Sequence, residues 1–352
     1  MNYFGARARG ISPYTAGEQP RDRRYIKLNT NENPYPPSPA VKEVLDGAEI
    51  SDLRLYPSPD AEGLREALAQ AEGCGKENVF CGNGSDEVLF LSFAAFFDGE
   101  RSACFPDITY SFYEVYAKFF GVGAKIVPLN ADFSMDTEKM AKTECAGYFI
   151  ANPNAPTGVG IPLERMEKFI SSVPGKIVIA DEAYMDFYGQ SCVPLTKKYK
   201  NLLVVKTFSK SYSLAGIRCG YAIGEESLIE GLRRMKDCMN SYPVDRLCQA
   251  VCIAAAGDKA YHDRTVSLVV SERERLRDGL LALGFTVPQS GANFLFAGRA
   301  KKSGREIYEK LKEEGVLVRF WDKPVLSDFC RITVGTAEQN DILLEKLKKI
   351  LS

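Results

Sequence analysis

Histidine is nearly missing from this chain: 352 residues include one, His262. A multi-histidine metal site is thereby excluded, and a Ser-His-Asp hydrolase would have to rest on that single side chain. His262 stands in the polar run AYHDRT, which reads as a surface helix position. An excess of one charge is missing too. Lys and Arg number 45 against 46 Asp and Glu, a net charge of −1, so no overall field recruits nucleic acid or an anionic membrane. No run approaches the roughly 18 uninterrupted apolar residues that a membrane-spanning helix needs. The opening MNYFGARARG has arginines but no apolar stretch behind them, so a secretory signal is not expected. The ten cysteines are scattered, with no C-x-x-C pair. Cys248 and Cys252, four apart beside Ala250, Val251 and Ala254, read as the buried apolar face of a helix rather than a redox or metal pair. Free thiols of this kind suit a reducing cytoplasm, the expected location.

The length allows a large domain with a smaller partner. Residues 1–45 read as an N-terminal arm that joins the smaller unit, 46–255 as a large α/β unit, and 256–352 as a small α+β unit. The arm is irregular and proline-rich (ISPY, then LNTNENPYPPSP), yet Tyr14, Tyr25, Ile26, Leu28 and Tyr35 give it apolar surface to pack. Seven short β-rich runs follow, at 78–81, 102–105, 125–128, 148–151, 176–180, 202–207 and 220–223. Helical patterns at 86–97, 111–119 and 163–171 lie between several of them. This alternation predicts a mostly parallel, seven-stranded mixed sheet flanked by helices. Beyond residue 225 helices dominate, including an amphipathic stretch at 264–283. Strand-like runs at 293–297, 316–319 and 331–333, with a helix at 304–314, complete an α+β pattern.

Four segments carry chemistry, and each falls at or just past the end of a β-run. CGNGSDE (81–87) opens an apolar helix. Gly82 and Gly84 allow close backbone approach, and the N–H groups of Gly84, Ser85 and Asp86 would form an anion site; plain capping by Ser85 or Asp86 is the alternative. The spacing matches neither a dinucleotide fingerprint nor a Walker loop. ANPNAPTGVG (151–160) forces a tight turn rich in Asn side chains, and serves equally as a surface turn. KIVIADEAYMDF ends a buried strand on Asp181, with Tyr184 three residues on. A buried carboxylate needs a partner, either a structural cation or a protonated heterocycle. TFSKSYSLAGIRCGY places Lys210 after a strand among Ser209, Ser211 and Ser213, with Arg218 eight residues later. An amine becomes nucleophilic near neutral pH when burial or neighbouring positive charge favours its neutral form. Arg218 can grip a phosphate bidentately.

Together with LNTNENPYPPSP, YPSPDAEGLREALA, PDITYSFY and CRITVGT, these segments resemble the histidinol-phosphate aminotransferase family over nearly the whole chain. The resemblance implies a fold-type I architecture and pyridoxal 5'-phosphate as cofactor. It implies that Lys210 is the Schiff-base lysine, that Asp181 pairs with the pyridine nitrogen and that Tyr184 bonds the ring hydroxyl. Tyr110 would stack on the ring. Gly84, Ser85, Asp86, Thr207, Ser209 and Arg218 would surround the phosphate, and Tyr56 would reach the phosphate of a neighbouring subunit in a homodimer with shared active sites. Tyr14, Asn33, Arg319 and Arg331 would bind substrate, histidinol phosphate in one half-reaction and glutamate or 2-oxoglutarate in the other. The usual motif has Asn before Pro-Thr-Gly. Here Ala155 stands there, so either Asn154 takes over or Tyr184 carries the ring hydroxyl alone. No resident metal, nucleic acid or membrane partner is implied.

Other readings keep part of this. A threonine-phosphate decarboxylase shares the family's segments and would need no keto acceptor. An aromatic amino-acid aminotransferase would use the arginines for carboxylates alone. A non-catalytic cofactor-binding protein or a sugar-phosphate binding protein leaves the intact Lys210, Asp181 and Arg218 unexplained.

Overall fold

Alternation of apolar side chains sets the central layer. Eleven strands run in chain order: β1 (Ile26–Leu28), β2 (Val79–Gly82), β3 (Ala103–Pro106), β4 (Ala124–Val127), β5 (Gly147–Ala151), β6 (Ile177–Asp181), β7 (Leu202–Thr207), β8 (Gly220–Gly224), β9 (Phe294–Gly298), β10 (Val316–Val318) and β11 (Phe329–Thr333). The computed structural model describes residues 3–300 and 302–352. Seven strands form one sheet in the order β2-β8-β7-β6-β5-β3-β4. Its pairings are parallel except for β8, which runs antiparallel to both neighbours. The expected β-runs coincide with these strands to within a residue at most ends.

In β6, Val178 and Ala180 join a core on one face, while Ile177 and Ile179 join a second core on the other. Period-2 side-chain direction therefore buries β6 on both sides, and every one of its residues is buried. At the sheet's edge, β4 has three exposed residues out of four. Cys248 and Cys252 lie on the buried face of the helix Arg246–Gly257, and their sulfurs cluster within 4.8 Å with that of Cys219. Among the described residues, no helix is long and apolar enough to cross a membrane.

A third core gathers Leu276, Leu280, Leu295, Ile307 and Leu343 from the C-terminal part with Leu28 from the arm. The arm is thus built into the C-terminal part, and β1 pairs in parallel with β10, Leu28 opposite Val318. Sequence periodicity did not reveal β1, because a three-residue strand is too short to show alternation. The short helix Thr137–Lys142 was missed for the same reason. The helix Arg246–Gly257 runs two residues past the expected boundary at 255, and Asp258 then caps the helix Lys259–Ala282.

His262 corrects an expectation. Its side chain is 15% exposed, with Nε2 3.5 Å from Asp186 Oδ2, and its ring packs against Tyr212 at 4.4 Å, tilted by 33°. The helix turns it inward because Asp186 offers a buried negative charge. Burial alone would raise the Asp186 carboxyl, but Lys206, His262 and Ser211 outweigh it and hold the group well below the usual carboxylate range. Burial disfavours the His262 cation, yet Asp186 and Asp263 raise its pKa above the ordinary histidine value. A raised pKa gives stability fully present below the unfolded value and lost as pH rises through the folded one. The thermal-midpoint deficit of His262→Gln relative to wild type should therefore be larger near pH 6 than near pH 8.5. Equal deficits at both pH values would contradict the pairing.

Candidate active site

Parallel strands bring their carboxyl ends to one edge, and ligands of open α/β sheets bind outside that edge. Just past β5, β6 and β7 lies a cavity of about 230 Å³ whose walls include Asp181, Tyr184, Thr207, Ser209 and Lys210. Ser85, Asp86, Tyr110 and Arg218 close it on one side, and Tyr14, Arg319 and Arg331 on the other. Twelve residues singled out in widely separated segments therefore line one space.

Asp181, the last residue of β6, accepts a hydrogen bond from Tyr113 Oη at 2.7 Å and another from the Ala183 N–H at 3.2 Å. Burial pushes its carboxyl up to about 6, against the pull of these bonds and of Lys210. A cation placed in the cavity would reverse that shift, so the site is electrostatically prepared for one. Tyr113 was missed from the sequence; it stands in the first turn of the helix Phe112–Phe120, three residues after Tyr110.

The Lys210 turn is fastened from several sides. Asn33 Nδ2 donates to the carbonyls of Lys210 and Ser211 at 3.2 and 3.1 Å. Ser211 Oγ donates to Asp186 at 2.5 Å, which also pairs with Lys206 at 3.2 Å. Lys210 Nζ stays over the Tyr184 ring, 5.6 Å from its centroid, and reaches the Thr30 carbonyl at 3.5 Å. Tyr184 Oη accepts from Asn31 Nδ2 at 2.9 Å. Asn33 thus corrects an expectation. It does not line the cavity and serves as a clamp on the Lys210 backbone, whereas Asn29, Thr30, Asn31 and Glu32 do line it.

At the glycine turn the helix Gly84–Phe96 begins with Asn83 as cap residue, so neither Ser85 nor Asp86 is the N-cap. Gly84 has φ +80°, and a Cβ there would stand 2.7 Å from Arg218 Nη2. A Cβ on Gly220 would stand 2.2 Å from the Ser85 backbone nitrogen. Both glycines therefore keep the corner narrow enough for backbone N–H groups and Arg218 to converge. Arg218 Nη2 lies 3.4 Å from Asp86 Oδ2, and its Nη1 lies 3.5 Å from Ser209 Oγ. The Thr207 hydroxyl accepts from the Ser209 N–H at 3.1 Å. Tyr110 Oη donates to Asp86 Oδ1 at 2.5 Å, which sets the ring in the cavity wall.

Asn154 is likewise engaged by residues outside the cavity lining. Its oxygen accepts from Thr109 Oγ1 at 2.8 Å, and its nitrogen donates to the Ile108 carbonyl at 2.9 Å and Thr157 Oγ1 at 3.0 Å. The side chain is fully engaged and turned away, while Ala155 lines the cavity. Tyr56 also lies outside it. It is 78% exposed and stacks on Tyr242 at 4.5 Å.

At the opposite end, Arg319 and Arg331 face each other across a two-hydrogen-bond antiparallel bridge. Arg331 Nη2 donates to the Asn29 carbonyl at 2.9 Å, while its buried Nε has no partner. Asn29 Oδ1 is likewise buried and unpaired. Polar atoms orphaned in this way at a cavity fit a bound polar group.

Residues 23–347 match the family described as aminotransferase class I and II. The chain belongs to this aminotransferase family. It is 47% identical over 350 residues to the histidinol-phosphate aminotransferase of Clostridium beijerinckii, covering 99% of this chain and 98% of the relative. It is 46% identical to that of Brachyspira hyodysenteriae, covering 99% of each chain. The fold matches the histidinol-phosphate aminotransferase of Sinorhizobium meliloti, solved with pyridoxal-5'-phosphate, at TM-score 0.88 and 22% identity, covering 100% of this chain and 98% of that one.

The Asp181 shift makes a prediction for the cofactor-free aminotransferase. A raised carboxyl contributes stability fully present below its unfolded value and lost as pH rises through about 6. Asp181→Asn should therefore unfold at higher denaturant than wild type near pH 8, by on the order of 2 kcal/mol, with the advantage gone near pH 4. A wild type more stable than the variant near pH 8 would contradict the burial argument.

Proposed function

We propose that this chain is a pyridoxal-phosphate-dependent histidinol-phosphate aminotransferase, exchanging an amino group between histidinol phosphate and 2-oxoglutarate in histidine biosynthesis. The observation that carries the reading is the convergence of Asp181, Lys210 and Arg218 on one cavity, in a chain nearly half identical to proteins of that name.

When bound, pyridoxal phosphate supplies an aldehyde that condenses with amines and a pyridinium ring that takes up the electron pair left by the α-proton. Asp181 would hold the ring nitrogen protonated through its carboxylate. Ser85, Asp86, Thr207, Ser209 and Arg218 would hold the phosphate, with Gly84 keeping the corner open. Tyr184 would serve the ring hydroxyl without help from Asn154, and Tyr110 would cover a ring face. Lys210 is the proposed link to the cofactor. Held by its clamped turn, Lys210 Nζ would act as the base that carries the α-proton from the substrate to the cofactor. Arg331 would bind the distal anion. A guanidinium pairs with phosphate or carboxylate alike, which lets one pocket serve both half-reactions. Tyr14 and Arg319 close that end.

The exposed Ile50, Leu53, Leu55 and Tyr56 form an apolar strip that supports a homodimer in which Tyr56 serves the neighbouring subunit's site. The separate C-terminal core, which takes in Leu28 of the arm, supports the division near 255. The setting would be the cytoplasm.

Lys210→Ala should abolish turnover and remove the visible absorbance of the lysine-bound cofactor; turnover at the normal rate would refute the role. Arg331→Ala should raise KM for histidinol phosphate by about tenfold or more, the loss of one charge-assisted interaction. An unchanged KM would overturn the substrate while leaving the cofactor reading intact. Glutamate formation from histidinol phosphate, compared with phenylalanine, and the absence of carbon dioxide release separate this reading from its rivals.

A further inference from the structure

The chain has a single tryptophan, Trp321, and it stands where two like charges meet. We infer that Trp321 is a positioning residue that holds the Arg319 and Arg331 guanidiniums in place for an anionic substrate group; this rests on the reading of Arg331 above. The Arg319 Cζ lies 5.2 Å from the indole centroid and the Arg331 Cζ 5.3 Å. One aromatic ring thus serves two cations that repel each other.

The geometry follows from the backbone. The Arg319 N–H donates to the Arg331 carbonyl at 2.9 Å, and the Arg331 N–H returns the bond at 2.8 Å. Directly opposed residues of such a bridge send their side chains to the same face. Two guanidiniums leaving one face would splay apart unless something between them attracts both. The negative face of an indole does this better than that of any other aromatic side chain. Each arginine has two further contacts. Arg319 donates to the Thr15 and Ala16 carbonyls at 2.7 and 2.9 Å. Arg331 donates to the Asn29 carbonyl and lies 5.3 Å from the Phe294 ring. These tethers leave the Arg331 Nε buried without a partner.

Trp321 is not a wall of the cavity that holds Lys210 and Asp181. It lines a neighbouring space of about 500 Å³ that shares Tyr14, Tyr110, Ala155 and Arg331 with the first. Its effect on substrate therefore passes through the arginines. Removing the ring should weaken anion binding and leave the proton-transfer groups in place.

The test uses the holoenzyme with Trp321→Ala and Trp321→Phe. In Trp321→Ala, KM for histidinol phosphate and for 2-oxoglutarate should both rise about tenfold while kcat falls less than about threefold. Trp321→Phe, which keeps an aromatic face, should recover most of the loss. In the wild type, 2-oxoglutarate and inorganic phosphate should each change the lone tryptophan's emission saturably, because an anion on Arg331 alters the cation beside the indole. Unchanged KM values in Trp321→Ala, a Trp321→Phe variant as impaired as Trp321→Ala, or flat emission with both anions would each overturn the inference. If histidinol phosphate is not turned over but emission still saturates with 2-oxoglutarate, the substrate reading fails and the role of Trp321 stands.

Discussion

A largely buried carboxylate constrains everything around it. Asp181 ends a strand covered on both faces, and its ionised form is costly there unless something nearby is positive. Tyr113 and the Ala183 N–H relieve part of that cost through hydrogen bonds, but neither brings a charge. Lys210 contributes a favourable field, yet its ammonium lies over the Tyr184 ring with the Thr30 carbonyl as its hydrogen-bond partner. The carboxylate is thus left facing a cavity in need of a cation. A protonated heterocycle meets that need, and a buried acid of this kind keeps it protonated in return.

The remaining geometry makes the two ends of the cavity distinguishable. One end holds Arg218 and the glycine corner, where Gly84 and Gly220 leave no room for a Cβ. The other holds Arg331, buried with a free Nε. The arm ties the two sides together. Asn31 donates to Tyr184, bonds with Thr333 and accepts from Asn293, while Asn33 grips the Lys210 turn. Neighbouring asparagines thus fasten the arm to the C-terminal part and hold the Lys210 turn.

Strands were legible in the sequence because full burial writes itself as unbroken apolar runs such as KIVIA. The points of chemistry were legible because they sit at the ends of those runs. What escaped depends on contacts between distant segments. Asn154 and Asn33 have side chains suited to a ligand, and only the fold shows them occupied by backbone and by Thr109. His262 sits in a polar run that looks solvent-facing; its inward turn depends on Asp186, which is far away in sequence and paired with Lys206. Tyr113 follows the expected Tyr110 by three residues, but only the position of β6 reveals its bond to Asp181. The departure at Ala155 was visible, and its consequence required knowing that Asn154 was already engaged.

The most direct measurement is the protonation state of the ring nitrogen itself. Holoenzyme reconstituted with ring-¹⁵N-labelled pyridoxal phosphate gives a nitrogen chemical shift that separates pyridinium from neutral pyridine. The account predicts a pyridinium shift in the wild type well above the pH at which the free ring loses its proton, collapsing to the neutral value when Asp181 is replaced by Ala. A neutral ring in the wild type, or a pyridinium that persists without the carboxylate, would contradict it.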